Sequence, residues 1–419
     1  RNLPIMRDTS VVQIKRTAIE DNAMLLRRLI GPQSGLCPVL KADAYGLGAV
    51  RIARRLSGQA TMFAVYTPEQ ATELVRAAIV SPLLVLMPVW EIDRTDELYR
   101  AFVSGRLHLT VHGVDHLERI IEIAEKFGSV APVHVEIDTG MSRGGAAAEE
   151  AGALLRRIAQ HRRLRLTGVF THFASAETDL AATDAQLARF DALLREFNEF
   201  IPDDCLVHCA NTYATLRSSR FHRRMVRIGL AWAGFGLESI EGGEIVAEGE
   251  ELRPAVTWSS RIVHVKSIAE GTTVGYNATW TAPRDSRIAL IPVGYADGYP
   301  MFCGERNDDG ATTVGAQVGV ILETSRGVRR AFAPVVGAVN MDQITIDVTE
   351  LPASAVGVGT EVELISPDAL APNHAPKLAA MAETIPHEML TRLNPRVRRM
   401  YLVKPTEIES VLNPAALAV

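Results

Sequence analysis

The sequence predicts an α/β protein in which a (β/α)8 barrel of the TIM type is followed by a second, mainly β-strand domain. Three observations lead to this prediction. The chain has 419 residues, which is too long for one ordinary domain and fits two. In its first part, short apolar runs alternate with amphipathic helical segments, as in a barrel of parallel strands. After Leu237 this alternation stops, and short β-like runs separated by turn residues take over.

The barrel is predicted over residues 14–240. Its eight apolar runs have the length of buried strands, and each is followed by a helical segment or a short connection. The runs are 38–40, 62–66, 83–87, 107–111, 133–137, 166–170, 205–209 and 226–230. Helical spacing of apolar residues is found at 17–30, from Ala49 onward, and at 69–79, 114–127, 149–160 and 180–200.

The second domain is predicted over residues 241–419. It opens with a polar break at 242–251, and beyond this break it contains β-like runs at 258–265, 288–293, 317–322, 331–336, 344–348 and 362–365. One helical stretch, 375–393, interrupts the strands. The N-terminal segment 1–13, with weak alternation at 9–14, is expected to add a strand to this domain.

Composition excludes several classes of function. A net charge of −5 argues against a nucleic-acid partner and gives no signal for a membrane surface. No apolar run approaches the roughly 20 residues that span a bilayer. We therefore expect a cytoplasmic protein, or a periplasmic one if a signal peptide preceded Arg1.

The four cysteines do not indicate a disulfide framework in a chain of this length. Cys205, His208 and Cys209 lie close together in sequence, but they fall on one predicted strand and no second ligand cluster accompanies them. No metal site is expected.

Lys41 is the first candidate for chemistry. It lies at the end of the run 38–40, and a Gly-rich turn at 46–48 precedes the helical pattern that starts at Ala49. Removing an ammonium group from water lowers the pKa of a lysine and makes its amine a usable nucleophile. The alternative is an ordinary lysine whose ammonium group reaches solvent at the strand end.

The residues around Lys41 form the segment Val-Leu-Lys-Ala-Asp-Ala-Tyr-Gly-Leu-Gly at 39–48. Seven further segments, at 138–143, 171–175, 208–212, 226–229, 275–279, 292–298 and 341–343, follow in order along nearly the whole chain. In all eight, the sequence resembles the alanine racemases, isomerases that use pyridoxal 5'-phosphate. On the predicted barrel, Lys41, His172 and Arg227 fall at the carboxyl ends of strands, where barrel enzymes build their sites.

This resemblance implies a homodimer with shared sites and an amino acid as the small-molecule substrate. Two bases would exchange the α-proton of alanine on opposite faces: Lys41, which also carries the cofactor, and Tyr276 of the other subunit. The remaining cofactor-binding residues would be Tyr45, His172, Asn211, Thr212, Arg227, Gly229, Leu230 and His387. Arg143, Tyr295 and Met341 would lie around the substrate, with Glu136 and Asp342 behind them.

By the same resemblance, Arg227 would face the pyridine nitrogen of the cofactor. A guanidinium does not readily give up its proton, so it donates a hydrogen bond without leaving the nitrogen charged. The ring is then a weaker electron sink, which favours racemisation over side reactions. Decarboxylases and aminotransferases usually place a carboxylate at this position.

The sequence departs from the family at three positions. Glu136 stands where many members carry a carbamylated lysine, and its carboxylate would hold Arg143 without that modification. His387 replaces a tyrosine that contacts the phosphate and narrows the substrate pocket. Asn340 replaces a common small residue. These changes affect the predicted substrate more than the predicted reaction.

Three alternatives to an alanine racemase remain open at this point. His387 favours a racemase of serine or of a broader range of amino acids. A decarboxylase of the same architecture is disfavoured by Arg227 and by the segment around Tyr276. A non-catalytic protein that binds the same cofactor would leave about 180 residues of the second domain unexplained.

Overall fold

The computed structural model describes residues 9–242, 245–246, 251–307, 313–324 and 327–402. The chain divides into two compact units, one of residues 19–253 and one that combines residues up to 18 with those from 254 onward. The ends of the predicted segments 1–13 and 241–419 lie outside the described residues. The boundaries 14–240 and 241–419 stay a prediction.

The first unit is the predicted barrel. Two elements precede its strands, namely β1 (Ser10–Lys15) and α1 (Arg16–Ile30). Each of the eight predicted apolar runs overlaps a strand in the described part of the chain, the first of them only at Pro38. These are β2 (Gly35–Pro38), β3 (Phe63–Val65), β4 (Leu83–Val85), β5 (Leu107–Val111), β6 (Ala131–Glu136), β7 (Leu164–Phe170), β8 (Leu206–His208) and β9 (Met225–Ile228).

Parallel pairing closes these strands into a ring. Strands β3 to β8 form one sheet in sequential order, and β2 pairs with β9. Backbone hydrogen bonds join the two parts, from the Leu40 N–H to the Ala64 carbonyl (2.8 Å) and from the Arg224 N–H to the Val207 carbonyl (3.0 Å). The strand ends that carry the candidate residues therefore meet on one face of a closed barrel.

Helices connect the barrel strands and begin at residues that suit helix starts. Thr67 and Gln70 form a capping box, and Asp96, Asp179 and Asn211 each accept a backbone N–H at a helix start. The helices are α2 (Ala49–Leu56), α3 (Pro68–Arg76), α4 (Glu97–Val103), α5 (Val114–Phe127), α6 (Ala151–Gln160), α7 (Leu180–Glu196) and α8 (Thr212–Arg217). Short 3-10 turns lie at Ala148–Glu150, Asn198–Phe200, Ser219–Phe221, Leu230–Ala233 and Leu237–Ser239.

The barrel interior has an apolar side and a polar side. A buried cluster of Cys37, Val39, Met62, Ala64, Leu84 and Met225 fills the region around β2, β3, β4 and β9. Across from it, β5, β6 and β8 contribute the buried side chains of His108, His134 and His208. Buried imidazoles need hydrogen-bond partners, so this side of the interior is built from polar contacts.

The second unit contains three sheets within the described residues. Its strands are β10 (Val256–Arg261), β11 (His264–Ile268), β12 (Thr273–Val274), β13 (Trp280–Thr281), β14 (Ser286–Ile291), β15 (Gln317–Thr324), β16 (Gly327–Pro334), β17 (Ile344–Asp347), β18 (Glu361–Ile365) and β19 (Arg398–Leu402). The main sheet has the order β16-β15-β18-β10-β1-β19, so the N-terminal strand lies between β10 and β19. The others are β11-β14-β17 and the hairpin β12-β13. Short 3-10 turns lie at Tyr276–Ala278, Tyr295–Asp297 and Met301–Cys303.

Two predicted segments of this unit are wrong in detail. The helical stretch 375–393 is two helices, α9 (Ala375–Met381) and α10 (Pro386–Thr391). Glu383 between them has a φ of 52°, and Pro386 offers no N–H for a helix that would continue through it. The run 258–265 is also two strands, because β10 ends at Arg261 and β11 pairs in a different sheet.

Candidate active site

The predicted residues of the barrel come together at the carboxyl ends of its strands. Lys41 follows β2 by three residues, His172 follows β7 by two, and Thr212 opens α8 after β8. Glu136 is the last residue of β6, whereas Arg227 is the third residue of β9 and Gly229 comes directly after that strand.

An unusual turn presents Lys41. Residues Ala42, Asp43, Ala44 and Tyr45 all have φ between 51° and 58°, and Gly46 has a φ of 77°, so residues 42–46 wind as a left-handed helical turn. Each such residue costs roughly 1–2 kcal/mol, so the surrounding bonds must hold the turn in place. The Asp43 carboxylate accepts the Ala49 N–H at 2.6 Å, and the Ala44 N–H donates to the Leu40 carbonyl at 2.9 Å. The Gly-rich pattern in the sequence predicts a turn. It does not predict a left-handed one, because alanine and tyrosine, which make up three of these four residues, rarely adopt positive φ.

The turn leaves Lys41 partly open to solvent and buries Tyr45. Partial burial is the main cause that lowers the pKa of the Lys41 amine, and the positive charge of Arg143 lowers it further. A larger fraction of neutral amine at neutral pH suits a nucleophile and a base.

Polar hydrogen-bond donors surround Gly229. A Cβ added there would stand 2.5 Å from the Tyr45 hydroxyl, so only glycine permits this approach. The Gly229 N–H donates to the Thr212 hydroxyl at 3.0 Å. The Leu230 N–H, which opens a 3-10 turn, donates to no group among the described residues. Asn211 caps α8 by accepting the Ala214 N–H at 3.0 Å. The Tyr45 and Thr212 hydroxyls and the Leu230 N–H are the groups that a phosphate needs.

Arg227 is buried and held by acceptors other than carboxylates. Its two terminal nitrogens contact His208 Nδ1 (2.6 Å), the Thr171 carbonyl (2.8 Å) and His172 Nδ1 (3.2 Å). The guanidinium lies 4.9 Å from the centre of the Phe170 ring. Within the described residues it forms no ion pair, and its Nε–H makes no hydrogen bond. A cation with one donor still available is therefore fixed at the barrel mouth.

His172 stays neutral beside this cation. Burial, and then the charges of Arg227, Arg143 and Lys41, lower its pKa to about 3. Its Nδ1 is thus free to accept from Arg227.

Arg143 is carried on a loop that Asp138 organises. Three successive backbone N–H groups, from Gly140, Met141 and Ser142, donate to the Asp138 carboxylate. Burial alone would raise the pKa of Asp138, but these donors lower it. The loop is closed by the Ala146 N–H, which donates to the Glu136 carbonyl at 2.8 Å.

The Glu136 side chain contacts a different residue from the one predicted. Its Oε2 lies 3.3 Å from His112 Nδ1, and no ion pair joins Glu136 to Arg143 in the described structure. Burial raises the pKa of Glu136, and the nearby charges of His112 and Arg227 reduce this rise without cancelling it. The role of Glu136 in holding Arg143 stays a prediction.

The remaining predicted residues lie in the second unit. Tyr276 is 71% exposed on the turn that joins β12 to β13, next to Gly275 with a φ of 80°. The Tyr295 and Ala296 N–H groups donate to the Asn340 and Met341 carbonyls, both at 3.0 Å, so the two predicted segments pack side by side.

Asp342 and His387 complete that set. Asp342 accepts from Arg396 NH2 at 2.7 Å, and the same guanidinium donates through Nε to Asp297 at 2.7 Å. These two acidic partners raise the pKa of Arg396. His387 is the second residue of α10 and is half-buried.

Sequence reasoning missed the contacts of three histidines. His108, His134 and His208 were not assigned a role, although each is a polar residue inside an apolar run. On β6, His134 and Glu136 are two residues apart and therefore share one face of the strand. Two polar residues on the same face of one strand, His134 and Glu136, were the sequence signal that could have indicated a polar barrel interior.

Comparison with known proteins agrees with this geometry. The chain matches the family model for the alanine racemase N-terminal domain over residues 14–236 and the one for the alanine racemase C-terminal domain over residues 255–401. The chain belongs to the alanine racemase family. Members of this family are isomerases and depend on pyridoxal 5'-phosphate.

Relatives match over almost their full length. An alanine racemase of Desulforamulus reducens is 33% identical over 95% of this chain and 100% of its own. One of Halothermothrix orenii is 32% identical over 93% of this chain and 96% of its own.

Solved alanine racemases share the fold. The enzyme of a D-cycloserine-producing Streptomyces lavendulae has a TM-score of 0.79 and 28% identity, with 96% of this chain and 99% of that one covered. The Bacillus anthracis enzyme, solved with bound L-Ala-P, has a TM-score of 0.77 and 29% identity, with 95% and 96% covered. Among the described residues, no helix combines the length and apolar character needed to cross a membrane.

Proposed function

We propose that this protein interconverts L- and D-alanine with pyridoxal 5'-phosphate and two bases, Lys41 and Tyr276 of the partner subunit of a homodimer. The observation that carries the proposal is the setting of Lys41. Its amine has a lowered pKa and shares the barrel mouth with the buried Arg227, which has no carboxylate partner among the described residues.

The residues present fit this cofactor. Tyr45, Thr212 and the Leu230 N–H supply donors for its phosphate around the space that Gly229 leaves. Arg227 has an uncommitted Nε–H for the ring nitrogen, and His172 is held beside it. Arg143 would donate to the ring oxygen and His387 would contact the phosphate. When bound, pyridoxal phosphate stabilises the charge left on the α-carbon after a proton is removed.

Racemisation then requires a proton to leave one face and to arrive on the other. The Lys41 Nζ would hold or release the proton on its side. The Tyr276 Oη would do so on the opposite side, and Tyr276 projects from its own unit with most of its side chain open to solvent. Tyr295, Met341 and the pair Asp342–Arg396 would border the substrate in that unit.

Of the two alternatives, one has specific support and the other is disfavoured. His387 in place of a tyrosine supports a racemase that also accepts serine or other amino acids. A decarboxylase of the same architecture would need a ring nitrogen that stays charged, and the contacts of Arg227 disfavour it.

The Lys41 assignment predicts where the cofactor is attached. Purified protein supplied with pyridoxal phosphate should be yellow, and borohydride should fix the cofactor covalently to Lys41 because the linkage to its amine becomes a stable secondary amine. Peptide mapping by mass spectrometry identifies the labelled residue. In parallel, L-alanine should lose its optical rotation without release of carbon dioxide.

Lys126→Ala is the matched control, since Lys126 is an exposed lysine on α5 and its loss should leave labelling unchanged. Label on another lysine contradicts the assignment of Lys41. Release of carbon dioxide with retained optical purity supports the decarboxylase instead.

His387 predicts the substrate range. Imidazole is shorter than phenol, so His387 should leave more space in the substrate pocket than a tyrosine would. An apolar pocket rejects one added hydroxyl only weakly, so serine should bind almost as well as alanine. We expect His387→Tyr to raise the alanine-to-serine ratio of kcat/KM by roughly tenfold.

His374→Tyr would be too disruptive as a control because His374 is fully buried. His264→Tyr, at an exposed histidine of β11, is the better match. A ratio that His387→Tyr leaves unmoved shows that His387 does not set the pocket.

A further inference from the structure

Three buried histidines form a continuous chain of hydrogen bonds that ends on Arg227. His208 Nδ1 lies 2.6 Å from Arg227 NH1, and His208 Nε2 lies 3.0 Å from His134 Nδ1. His134 Nε2 in turn lies 3.0 Å from His108 Nδ1. The chain crosses the barrel interior from β9 through β8 and β6 to β5, and all three rings are at most 5% exposed.

The arginine end fixes the direction of every bond in this chain. A guanidinium has no acceptor, so His208 Nδ1 must accept and the proton of a neutral His208 must sit on Nε2. That proton is then donated to His134 Nδ1, which places the His134 proton on Nε2, and the same step repeats at His108. One donor therefore sets the tautomer of three rings, and the bond dipoles point their negative ends toward Arg227.

The barrel is shaped to admit this chain. Gly168 of β7 lies between β6 and β8, and a Cβ there would stand 2.1 Å from His134 Nδ1. Phe170, two residues further along β7, stacks on the His208 ring with a centroid distance of 4.6 Å and an interplanar angle of 12°. One strand thus provides both the gap through which His134 reaches His208 and the flat surface that orients His208.

We infer that His108, His134 and His208 form a one-directional relay that positions Arg227 in place of a carboxylate counter-ion, with His134 and His108 as positioning residues for the reaction. This inference rests on the proposed function, in which Arg227 faces the cofactor's ring nitrogen. A carboxylate beside Arg227 would offset its positive charge with a negative one. Aligned neutral imidazoles hold the guanidinium by hydrogen bonds and add no negative charge. The full charge keeps a proton away from the ring nitrogen.

The direction of the relay can be measured without any assay of activity. In the holoenzyme labelled with nitrogen-15 in its histidines, His134 and His208 should each carry their proton on Nε2, with Nδ1 shifts typical of an acceptor. Spectra of His134→Leu and His208→Leu assign the signals. An Nδ1–H or a doubly protonated ring at either residue overturns the relay, whether or not the protein racemises alanine.

The positioning role is tested by two matched glycine variants. Gly168→Ala should push His134 out of line without altering a histidine, and Gly152→Ala is its control because a Cβ there would stand 2.4 Å from Phe197, far along the chain from the relay. We expect Gly168→Ala to raise pyruvate formed per racemisation turnover about fivefold, as for the loss of one buried hydrogen bond. Gly152→Ala should leave that ratio within twofold.

A double-mutant cycle separates positioning from general packing. His134→Leu should raise the same ratio in the wild-type background and leave it unchanged in Arg227→Lys, where the relay no longer has its guanidinium. Equal effects in both backgrounds, or equal ratios for the two glycine variants, overturn the positioning role. A protein that neither racemises alanine nor forms pyruvate contradicts the proposed function, while the nitrogen-15 spectra still decide on the relay.

Discussion

Lys41→Ala and Tyr276→Phe are each expected to abolish racemisation almost completely and to restore it when the two proteins are unfolded and reassembled together. Each variant removes one of two bases, and a positioned acid or base contributes roughly 10²–10⁴-fold to a rate. Lys41 also carries the cofactor, so its loss should be the more severe. Tyr276 is mostly exposed within its own unit, and its substitution by phenylalanine should leave the fold intact.

Recovery of activity follows from sharing of the site between subunits. If Lys41 of one subunit meets Tyr276 of the other, a hybrid dimer has one site with both defects and one with none. Random reassembly makes half of the dimers hybrids and leaves half of their sites intact, so about one quarter of wild-type activity should return. Tyr66→Phe, at another exposed tyrosine, is the control and should stay active alone. Absence of recovery, with hybrids demonstrated by differential tagging, means that both bases act within one chain.

Arg227→Glu is expected to lower kcat/KM for racemisation by about 10²–10⁴-fold and to increase pyruvate formation from alanine. Arg227 donates to His208 Nδ1 and to the Thr171 carbonyl, and losing two charged hydrogen bonds of this kind corresponds to roughly 3–5 kcal/mol. A carboxylate at this position would also let the ring nitrogen keep a proton, which strengthens the cofactor as an electron sink and promotes transfer of the amino group.

Two controls separate this effect from charge reversal and from misfolding. Arg224→Glu makes the same charge change on an exposed side chain three residues earlier and should leave both products unaltered. Arg227→Lys keeps the charge but not the fork of donors, and should lower racemisation without raising pyruvate. If Arg227→Glu folds, binds the cofactor and keeps the wild-type ratio of products, Arg227 does not face the ring nitrogen.

The residues of the barrel mouth were predictable because strand ends leave a clear pattern. Lys41, His172 and Arg227 each fall at or near the end of an apolar run, and parallel strands bring such positions to one face. The strands were predictable for the same reason, since all eight apolar runs overlap a barrel strand, although the first run begins where β2 ends at Pro38.

What the sequence left open depends on side-chain direction and on backbone hand. The turn at 42–45 is left-handed over four residues that are not glycine, which local propensity argues against. The relay depends on His134 meeting His208 across Gly168, a contact between residues 74 apart in the chain. Glu136 contacts His112, which the sequence did not indicate because the two residues are 24 apart in the chain, and its predicted role in holding Arg143 stays a prediction.

The histidine relay also couples folding to proton uptake. Burial, and then the charge of Arg165, lower the pKa of His108 to about 4, and burial lowers the pKa values of His134 and His208 well below the ordinary 6.5. As the pH falls below 6.5, these three imidazoles therefore become protonated in the unfolded chain and stay neutral in the folded barrel. The free energy of unfolding contributed by these rings is complete above that pH and falls as the pH decreases toward the lowered pKa values of the folded state. The same three neutral imidazoles that hold a cation without a carboxylate thus make the barrel sensitive to mild acid.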